Sequence, residues 1–315
     1  MTALATEDVL LAIAASADEL DRNPAFPHAA FGALREAGAL TPPPDRAEEW
    51  ARVRAVSKAD GSVGRIFEGH LNAYERLTLE GIDPEEHLLG VWGADPAPHE
   101  GEPARIENDR LHGSKVFCSG AGGLDRALVI AKGTLVFVDL HENVTVDKSW
   151  YRAGGMRASE SHLVHFHGAP VLAALRPLTT QPYFARDAVR TAACWAGILD
   201  AAVDAALHDL ASKPGEPDEL RALAAGDMVI AIETIDRWFE RAATDDTISI
   251  QLRRAVETAG ATILQAAARA TGSRPFATGT TLDRARRDFE LFVLQHRLDP
   301  LTARLGRERI EAARG

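Results

Sequence analysis

The spacing of apolar positions divides the chain into three segments. Up to about residue 88, and again from about residue 177, apolar residues recur every three or four positions, which is the period of an amphipathic helix. Between these segments, short runs of β-forming residues are separated by Gly, Asp and Asn at hairpin distances, which predicts antiparallel strands. The predicted organisation is therefore a helical domain (1–88), a β domain (89–176) and a helical bundle (177–315).

The last segment predicts an antiparallel bundle. It is rich in Ala, a strong helix former, and most of its periodic stretches are about 25 residues long. These stretches are separated by short breaks, of which Lys213 to Pro217 is a typical helix–helix turn. Long helices joined by short loops favour a four-helix bundle. The predicted helices cover 185–211, 218–243, 248–271 and 281–294.

Composition and charge narrow the class of protein. With 315 residues, 46% hydrophobic and 26% charged, the chain can bury a full core without disulfides or metals. A net charge of -11 opposes binding to nucleic acid and to anionic membranes. The two cysteines lie far apart without metal-ligand spacing, and no apolar stretch approaches the ~20 residues that cross a bilayer. We therefore expect a cytoplasmic protein with neither a nucleic-acid nor a membrane partner.

Two local motifs suggest chemistry but favour structural interpretations. Glycines 120, 122 and 123 follow a predicted strand, yet their spacing is neither a P-loop nor a dinucleotide fingerprint, so a β-turn is favoured over a phosphate site. His165 and His167 share one face of a predicted strand. A metal would need a third ligand, and the neighbours on that face are Ser161 and Leu163, so surface histidines are favoured over a metal site.

Longer motifs point to a family. They are LHGSKVFCSGA at 111–121, WYRAGGMRASES at 150–161, VHFHGAPV at 164–171, and ATGSRPF at 270–276 followed by LDRARRD at 282–288. Together with the order of the three segments, they resemble the acyl-CoA dehydrogenase superfamily over nearly the whole chain. The resemblance implies an α+β multidomain fold, with an N-terminal helical domain, a middle antiparallel β-barrel or sandwich and a C-terminal four-helix bundle.

The resemblance also implies a flavin site. In the family, an aromatic residue and a Ser or Thr two positions later lie against the flavin ring, and here these are Phe117 and Ser119. We expect FAD between the β domain and the bundle, with Phe117 against the ring and Ser119 donating a hydrogen bond to its polar edge. Relatives complete this site across a subunit contact, which implies a homodimer or homotetramer. Further implied cofactor-binding positions are Trp92, Arg157, Gly272 and Ser273.

The leading expectation for activity is α,β-dehydrogenation of an acyl thioester or similar substrate, with hydride transfer to flavin N5 and an electron-transfer partner. This reaction needs a carboxylate-strength base. The position of the usual Glu holds His296, and the alternative position on the first long bundle helix holds Asp187, so Asp187 is the preferred base and His296 the second choice. The thioester-binding loop of relatives is replaced by residues 91–96, which leaves the involvement of CoA open.

Two alternatives remain open. His296, the Phe-Cys-Ser-Gly-Ala segment and His70 are also similar to the reduced-flavin-dependent monooxygenases of the same fold, which take reduced FMN or FAD from a reductase and act on small acyl or aromatic substrates. A monooxygenase needs hydrogen-bonding groups in a dry cavity instead of a strong base. The second alternative is a non-catalytic binding module, because several usual catalytic parts are altered at once.

Overall fold

The computed structural model describes residues 7–216, 218–295 and 298–314. Helices come first, strands follow and helices return, in the predicted order. The first helices are α1 Glu7–Arg22, α2 His28–Glu36, α3 Arg46–Ala59 and α4 Gly61–Leu79. The strands are β1 Leu89–Trp92, β2 Arg105–Glu107, β3 Arg110–Cys118, β4 Arg126–Ala131, β5 Thr134–Asp139, β6 Val144–Asp147 and β7 His162–Leu175. The later helices are α5 Tyr183–Ala211, α6 Glu219–Ala242, α7 Ser249–Thr271, α8 Arg274–Ala277, α9 Thr281–Leu294 and α10 Asp299–Ala312.

By its internal contacts the described part of the chain divides into two compact units. Within the described residues, 7–44 and 62–184 form one unit, here called the strand unit. Residues 45–61 join the described part of 185–314 in the second unit, here called the bundle unit. Helix α3, predicted as part of an N-terminal helical domain, is thus grouped with the C-terminal helices.

The strand unit is built on one seven-stranded sheet. Its order is β1-β4-β5-β7-β3-β2, with β6 pairing to β7. All described pairings are antiparallel except β1 with β4, which is parallel. The long strand β7 pairs with β3 and β6 along its first half and with β5 along its second half. One strand therefore connects the two parts of the sheet.

Local sequence explains the β4–β5 hairpin and the core beneath it. The two loop residues, Lys132 and Gly133, both have positive φ (46° and 86°), as the tight turn with the right strand twist requires. Helix α4 covers this part of the sheet with Ala73 and Leu77. The strand residues packed against them are Leu89, Leu128, Leu135, Phe137 and Leu175.

Helix α3 is held in the bundle unit by charge pairs. The Arg54 guanidinium donates to both carboxylate oxygens of Asp200 on α5, at 2.6 and 2.8 Å, and to Asp236 on α6 at 2.6 Å. A second pair joins buried Glu49 to buried Arg190 of α5. Because the fork of an arginine matches a carboxylate in a bidentate geometry, these contacts fix the orientation of α3 as well as its attachment.

Aromatic packing joins the later helices of the bundle unit. Trp195 of α5 is fully buried and meets Phe289 and Phe292 of α9 edge to face, with centroids 6.4 and 5.9 Å apart. Arg253 of α7 lies 5.0 Å from the centroid of the Trp195 ring. Predicted helix 281–294 matches α9 at both ends. Within the part of the chain that the structure describes, no helix has the length and apolarity needed to cross a membrane.

A glycine pair tests the close approach of α3 to α5. A Cβ at Gly197 of α5 would overlap the carbonyl oxygen of Arg54 and lie 2.8 Å from Ser57 Cβ. We expect Gly197→Ala to lower the free energy of unfolding by about 1–3 kcal/mol through overpacking. The matched control is Gly226→Ala on α6, where a Cβ meets nothing within 4 Å and a gain of about 0.5–1 kcal/mol is expected. Denaturant unfolding of both variants measures the difference; equal effects would contradict the close contact.

Candidate active site

The end of β3 contains one extra residue relative to β7. Lys115 pairs with Val164 and Cys118 pairs with His162, so three steps along β3 oppose two along β7. This is a β-bulge, and Phe117 within it has a φ of +53°, in the left-handed region. Such a conformation is uncommon for an aromatic residue, and it is a feature often found at functional sites.

The bulge turns the Phe117 side chain outward. Phe117 is 40% exposed, although its neighbours Val116 and Cys118 are buried. Its ring meets Trp150 edge to face, with centroids 4.9 Å apart and planes at 85°. An edge-on neighbour leaves ring surface available, so Phe117 offers a flat apolar area to a planar ligand.

Ser119 lies at the end of a chain of buried hydroxyl groups. Its Oγ is 2.9 Å from Ser161 Oγ, and Ser161 Oγ is 2.8 Å from Ser159 Oγ. The Ser159 hydroxyl in turn donates to the carbonyl oxygen of Met156 at 2.6 Å. Ser159 and Ser161 are 0% and 1% exposed and Ser119 is 7% exposed, so Ser119 is the end of the chain nearest the surface.

Either hydroxyl group can donate in the two contacts between these serines. The Met156 carbonyl also accepts from the N–H of Ser159 at 3.1 Å, so it does not depend on the Ser159 hydroxyl for a donor. Ser119 can therefore present either its proton or a lone pair to a ligand, and its expected role as a donor to the flavin stays a prediction.

Trp92 holds the backbone of Ser119 in place. It is 1% exposed, and its Nε1–H donates to the carbonyl oxygen of Ser119 at 3.0 Å. The loop that follows Trp92 is held by Lys115, which is fully buried. Its Nζ donates to the carbonyl of Gly93 at 3.1 Å and to Asp95 at 2.6 Å. Trp92, predicted to bind a cofactor, thus acts within the described chain by fixing the backbone of Ser119.

The glycine-rich turn after Ser119 is occupied by the protein itself. The N–H of Gly120 donates to the Ser159 carbonyl and that of Ala121 to the Glu160 carbonyl, at 2.7 and 3.3 Å. A Cβ at Gly122 would lie 2.5 Å from the Glu160 carboxylate, so glycine is needed there for close approach. With these groups used internally, the turn favours the structural interpretation over a phosphate site.

Arg157 begins the short 3-10 turn Arg157–Ser159 that carries the hydroxyl chain. Its side chain is half-buried, and Nη2 donates to the Arg22 carbonyl at a long 3.5 Å. The turn is bounded by Met156 and Glu160, which both have positive φ (52° and 48°). Arg157 is therefore on the same element as Ser159, and its cofactor role stays a prediction.

Other predicted site residues belong to the bundle unit. Asp187 lies in the first turns of α5, half-buried, with its carbonyl accepting from Thr191 Oγ1 at 3.2 Å. Gly272 ends α7 with a φ of +78° and precedes Ser273, and both are exposed. Their roles as base and as cofactor contacts stay predictions. His296 lies outside the described residues.

His70, the third predicted catalytic residue, uses both ring nitrogens within the strand unit. Nε2 lies 2.9 Å from the Leu40 carbonyl, and Nδ1 accepts from the Leu89 N–H at 3.2 Å. This pattern requires the neutral ring with its proton on Nε2. Burial lowers the pKa of His70 to about 4, against the opposing effect of the Leu40 hydrogen bond. His70 is therefore a hydrogen-bonded structural histidine with no nitrogen left for a ligand.

The paired histidines of β7 bond to hydroxyl groups. His165 Nδ1 is 2.8 Å from Ser114 Oγ, and His167 Nε2 is 3.0 Å from Thr145 Oγ1. Their rings are stacked, with centroids 6.3 Å apart. Hydroxyl partners on neighbouring strands account for both side chains on this face of the sheet.

Sequence reasoning missed the residues behind Ser119 and Phe117. The motif at 150–161 contains Trp150, Ser159 and Ser161, but its pattern alone does not mark them as site residues. Two small hydroxyl residues flanking Glu160, just before a buried strand, were the available signal. It does not reveal that they meet Ser119, 42 positions earlier than Ser161.

No protein-family model matches the chain. Curated dibenzothiophene monooxygenases from Rhodococcus erythropolis and Rhodococcus qingshengii are 29% identical over 147 residues. The match covers 38% of this chain and 35% of the relatives, so it spans well under two thirds of their length.

Solved structures match over almost the whole chain. The dibenzothiophene monooxygenase TdsC from Paenibacillus sp. A11-2, in complex with FMN and indole, has a TM-score of 0.78 at 19% identity, covering 96% of this chain and 95% of that one. A nitrososynthase from Micromonospora carbonacea var. africana has a TM-score of 0.80 at 20% identity, with 98% and 97% covered. The acyl-CoA dehydrogenase fold expected from the sequence motifs is confirmed.

The neutral state of His70 predicts a pH-dependent stability. The pKa of His70 is about 4 in the folded protein against an ordinary value of 6.5, so the unfolded chain takes up the proton first as the pH falls. The contribution of neutral His70 to the free energy of unfolding is complete above about pH 6.5. As the pH falls toward 4, up to about 3 kcal/mol of it is lost.

Urea unfolding at pH 7 and pH 4.5 measures this effect. In His70→Gln, the fall in unfolding free energy between the two pH values should be smaller than in the wild type. The control His208→Gln, at an exposed position of α5, should retain the wild-type fall. The same pH dependence in all three proteins would show that His70 is not the titrating group.

Proposed function

We propose that this protein is a reduced-flavin-dependent monooxygenase that binds FMN. The observation that carries the proposal is the match over almost all of the chain to proteins of this fold named as monooxygenases, of which TdsC binds FMN. The partial sequence match to dibenzothiophene monooxygenases points in the same direction. FMN thus replaces FAD as the favoured cofactor, and a separate reductase would supply it in the reduced form.

The residues at the end of β3 suit a flavin ring. Phe117 presents exposed aromatic surface next to Trp150, as a planar ring requires. Ser119 adds one directed polar contact two residues further on. A site with flat apolar surface and few, fixed polar groups is the usual composition of a cofactor pocket.

Each residue would have a distinct task when the flavin is bound. Reduced flavin supplies the two electrons with which one atom of O₂ becomes water while the other enters the substrate. Phe117 would orient the ring, and Ser119 would form a hydrogen bond at its polar edge. Trp92, which holds the Ser119 carbonyl, keeps that contact in place.

The leading expectation of acyl thioester dehydrogenation has less support. It needs a carboxylate base, a role for which Asp187 at the start of α5 stays the preferred candidate, whereas the relatives that carry the proposal are named as monooxygenases. The oxygenase needs no such base. Substrates are proposed to be small aromatic or heteroaromatic molecules, as the indole complex of TdsC suggests.

Reduced flavin should bind and react with oxygen in the presence of this protein. Anaerobic titration with dithionite-reduced FMN is expected to give saturable binding. Addition of O₂ with indole or dibenzothiophene should then give an oxygenated product in mass spectrometry, with ¹⁸O from ¹⁸O₂. A wild-type protein that binds no flavin in either redox state would refute the proposal. Anaerobic bleaching of bound oxidised flavin by acyl-CoAs would favour the dehydrogenase instead.

Replacing Phe117 should weaken the flavin site. We expect Phe117→Ala to reduce FMN affinity about tenfold, because a stacked aromatic pair contributes about 0.5–1.5 kcal/mol beyond the buried area. The control is Leu172→Ala on β7, another exposed apolar position (46% exposed) of the same sheet. Fluorescence titration with FMN measures both. Equal affinities in the two variants would remove Phe117 from the site.

A further inference from the structure

We infer that His165 and His167 of β7 form a chelating site for a divalent transition-metal ion, with Cu²⁺ bound most tightly. The two side chains lie on one face of the strand, because side chains two positions apart in a strand point the same way. Their ring centroids are 6.3 Å apart, and the ring planes are inclined by 30°. Neither histidine is among the proposed flavin contacts, so the site is independent of the proposed function.

Each imidazole has one ring nitrogen outside its hydroxyl contact. His165 Nδ1 lies 2.8 Å from Ser114 Oγ, and His167 Nε2 lies 3.0 Å from Thr145 Oγ1. The nitrogens outside these contacts are His165 Nε2 and His167 Nδ1. A neutral imidazole carries its proton on one nitrogen and a lone pair on the other. With the proton next to the hydroxyl oxygen, the remaining nitrogen presents its lone pair to a metal, and the second N–H of a metal-binding histidine usually has such an acceptor.

Chelation requires a small movement of the two rings. With metal–nitrogen bonds of about 2.0–2.1 Å, the centres of two imidazoles on one ion come within about 5 Å of each other. The stacked rings must therefore approach by roughly 1 Å and turn their free nitrogens to a common point. His167 is exposed and His165 is half-buried. Exposed side chains change rotamer readily, so the His167 ring can make this movement.

Water completes the coordination of the ion. His112 of β3 is the register partner of His167 and the nearest further imidazole along that pairing. In the part of the chain that the structure describes, however, no three His, Cys, Asp or Glu side chains are grouped so as to hold an ion. The protein therefore supplies two ligands, both from β7, and water molecules fill the other positions.

The ligand chemistry selects the class of ion. Imidazole nitrogen suits Cu²⁺, Ni²⁺ and Zn²⁺, whereas Ca²⁺ and Mg²⁺ take oxygen ligands. Among these ions a given nitrogen site binds Cu²⁺ most tightly. A carboxylate also lies nearby: hydrogen bonds from Ser149 lower the pKa of Asp147 on β6, and the charge of His165 contributes to the same shift. The negative charge of Asp147 offsets part of the charge of a bound dication.

Calorimetric titration with CuCl₂ tests the site in the full-length protein, after dialysis against EDTA and then against chelator-free buffer. The wild type should bind one Cu²⁺ tightly. His167→Ala and His165→Ala should each weaken this binding about tenfold or more, since even the loss of an outer-shell partner of a metal ligand costs 10–100-fold. The matched control is His141→Ala in the loop between β5 and β6, where another exposed imidazole is removed and wild-type affinity is expected.

Electron paramagnetic resonance of the bound Cu²⁺ counts its nitrogen ligands. The wild type should show hyperfine splitting from two imidazole nitrogens, and each chelate variant should show one fewer. His165→Ala also removes the partner of buried Ser114, which could disturb the sheet. His167 is exposed, so His167→Ala keeps the test open if His165→Ala does not fold.

The outcomes separate this inference from the proposed function. Equal Cu²⁺ affinity in the wild type and His167→Ala, an equal loss in His141→Ala, or fewer than two nitrogen ligands in the wild type overturns the inference. A tenfold loss in His167→Ala, with His141→Ala unchanged and two nitrogen ligands in the wild type, supports it. None of these results depends on flavin, so the two proposals stand or fall separately.

Discussion

The candidate site depends on one extra residue in β3. In a regular strand, Phe117 and Ser119 would point to the same face, because side chains two positions apart share a face. The bulge opposite β7 breaks that rule and gives Phe117 a left-handed backbone. As a result the aromatic ring turns out to the surface while the hydroxyl group two positions later turns inward to Ser161. A planar contact and a directed polar contact are thereby placed next to each other.

A buried charged side chain next to the bulge stabilises it. Lys115, the last regular residue before it, is fully buried and forms an ion pair with Asp95. Leaving such a charge without its partner would cost several kcal/mol, so the loop after β1 is tied firmly to β3. That loop begins at Trp92, whose indole holds the Ser119 carbonyl. Contacts of Lys115 and of Trp92 thus fix the irregular backbone, and with it the position of the Ser119 side chain.

The sequence predicts the helices and strands better than it predicts which of them pack together. Periodicity finds helices such as α9 and the strands around Phe117, because period and breakers are local properties. It does not reveal that α3 groups with the bundle unit, because this attachment depends on Arg54 meeting acids more than 140 positions later. It also offers His70 as a catalytic residue, because the backbone groups that use both its nitrogens are invisible in the sequence. Motif resemblance locates Ser119 but not the buried hydroxyl groups that it meets, because Ser161 lies 42 positions later in the chain.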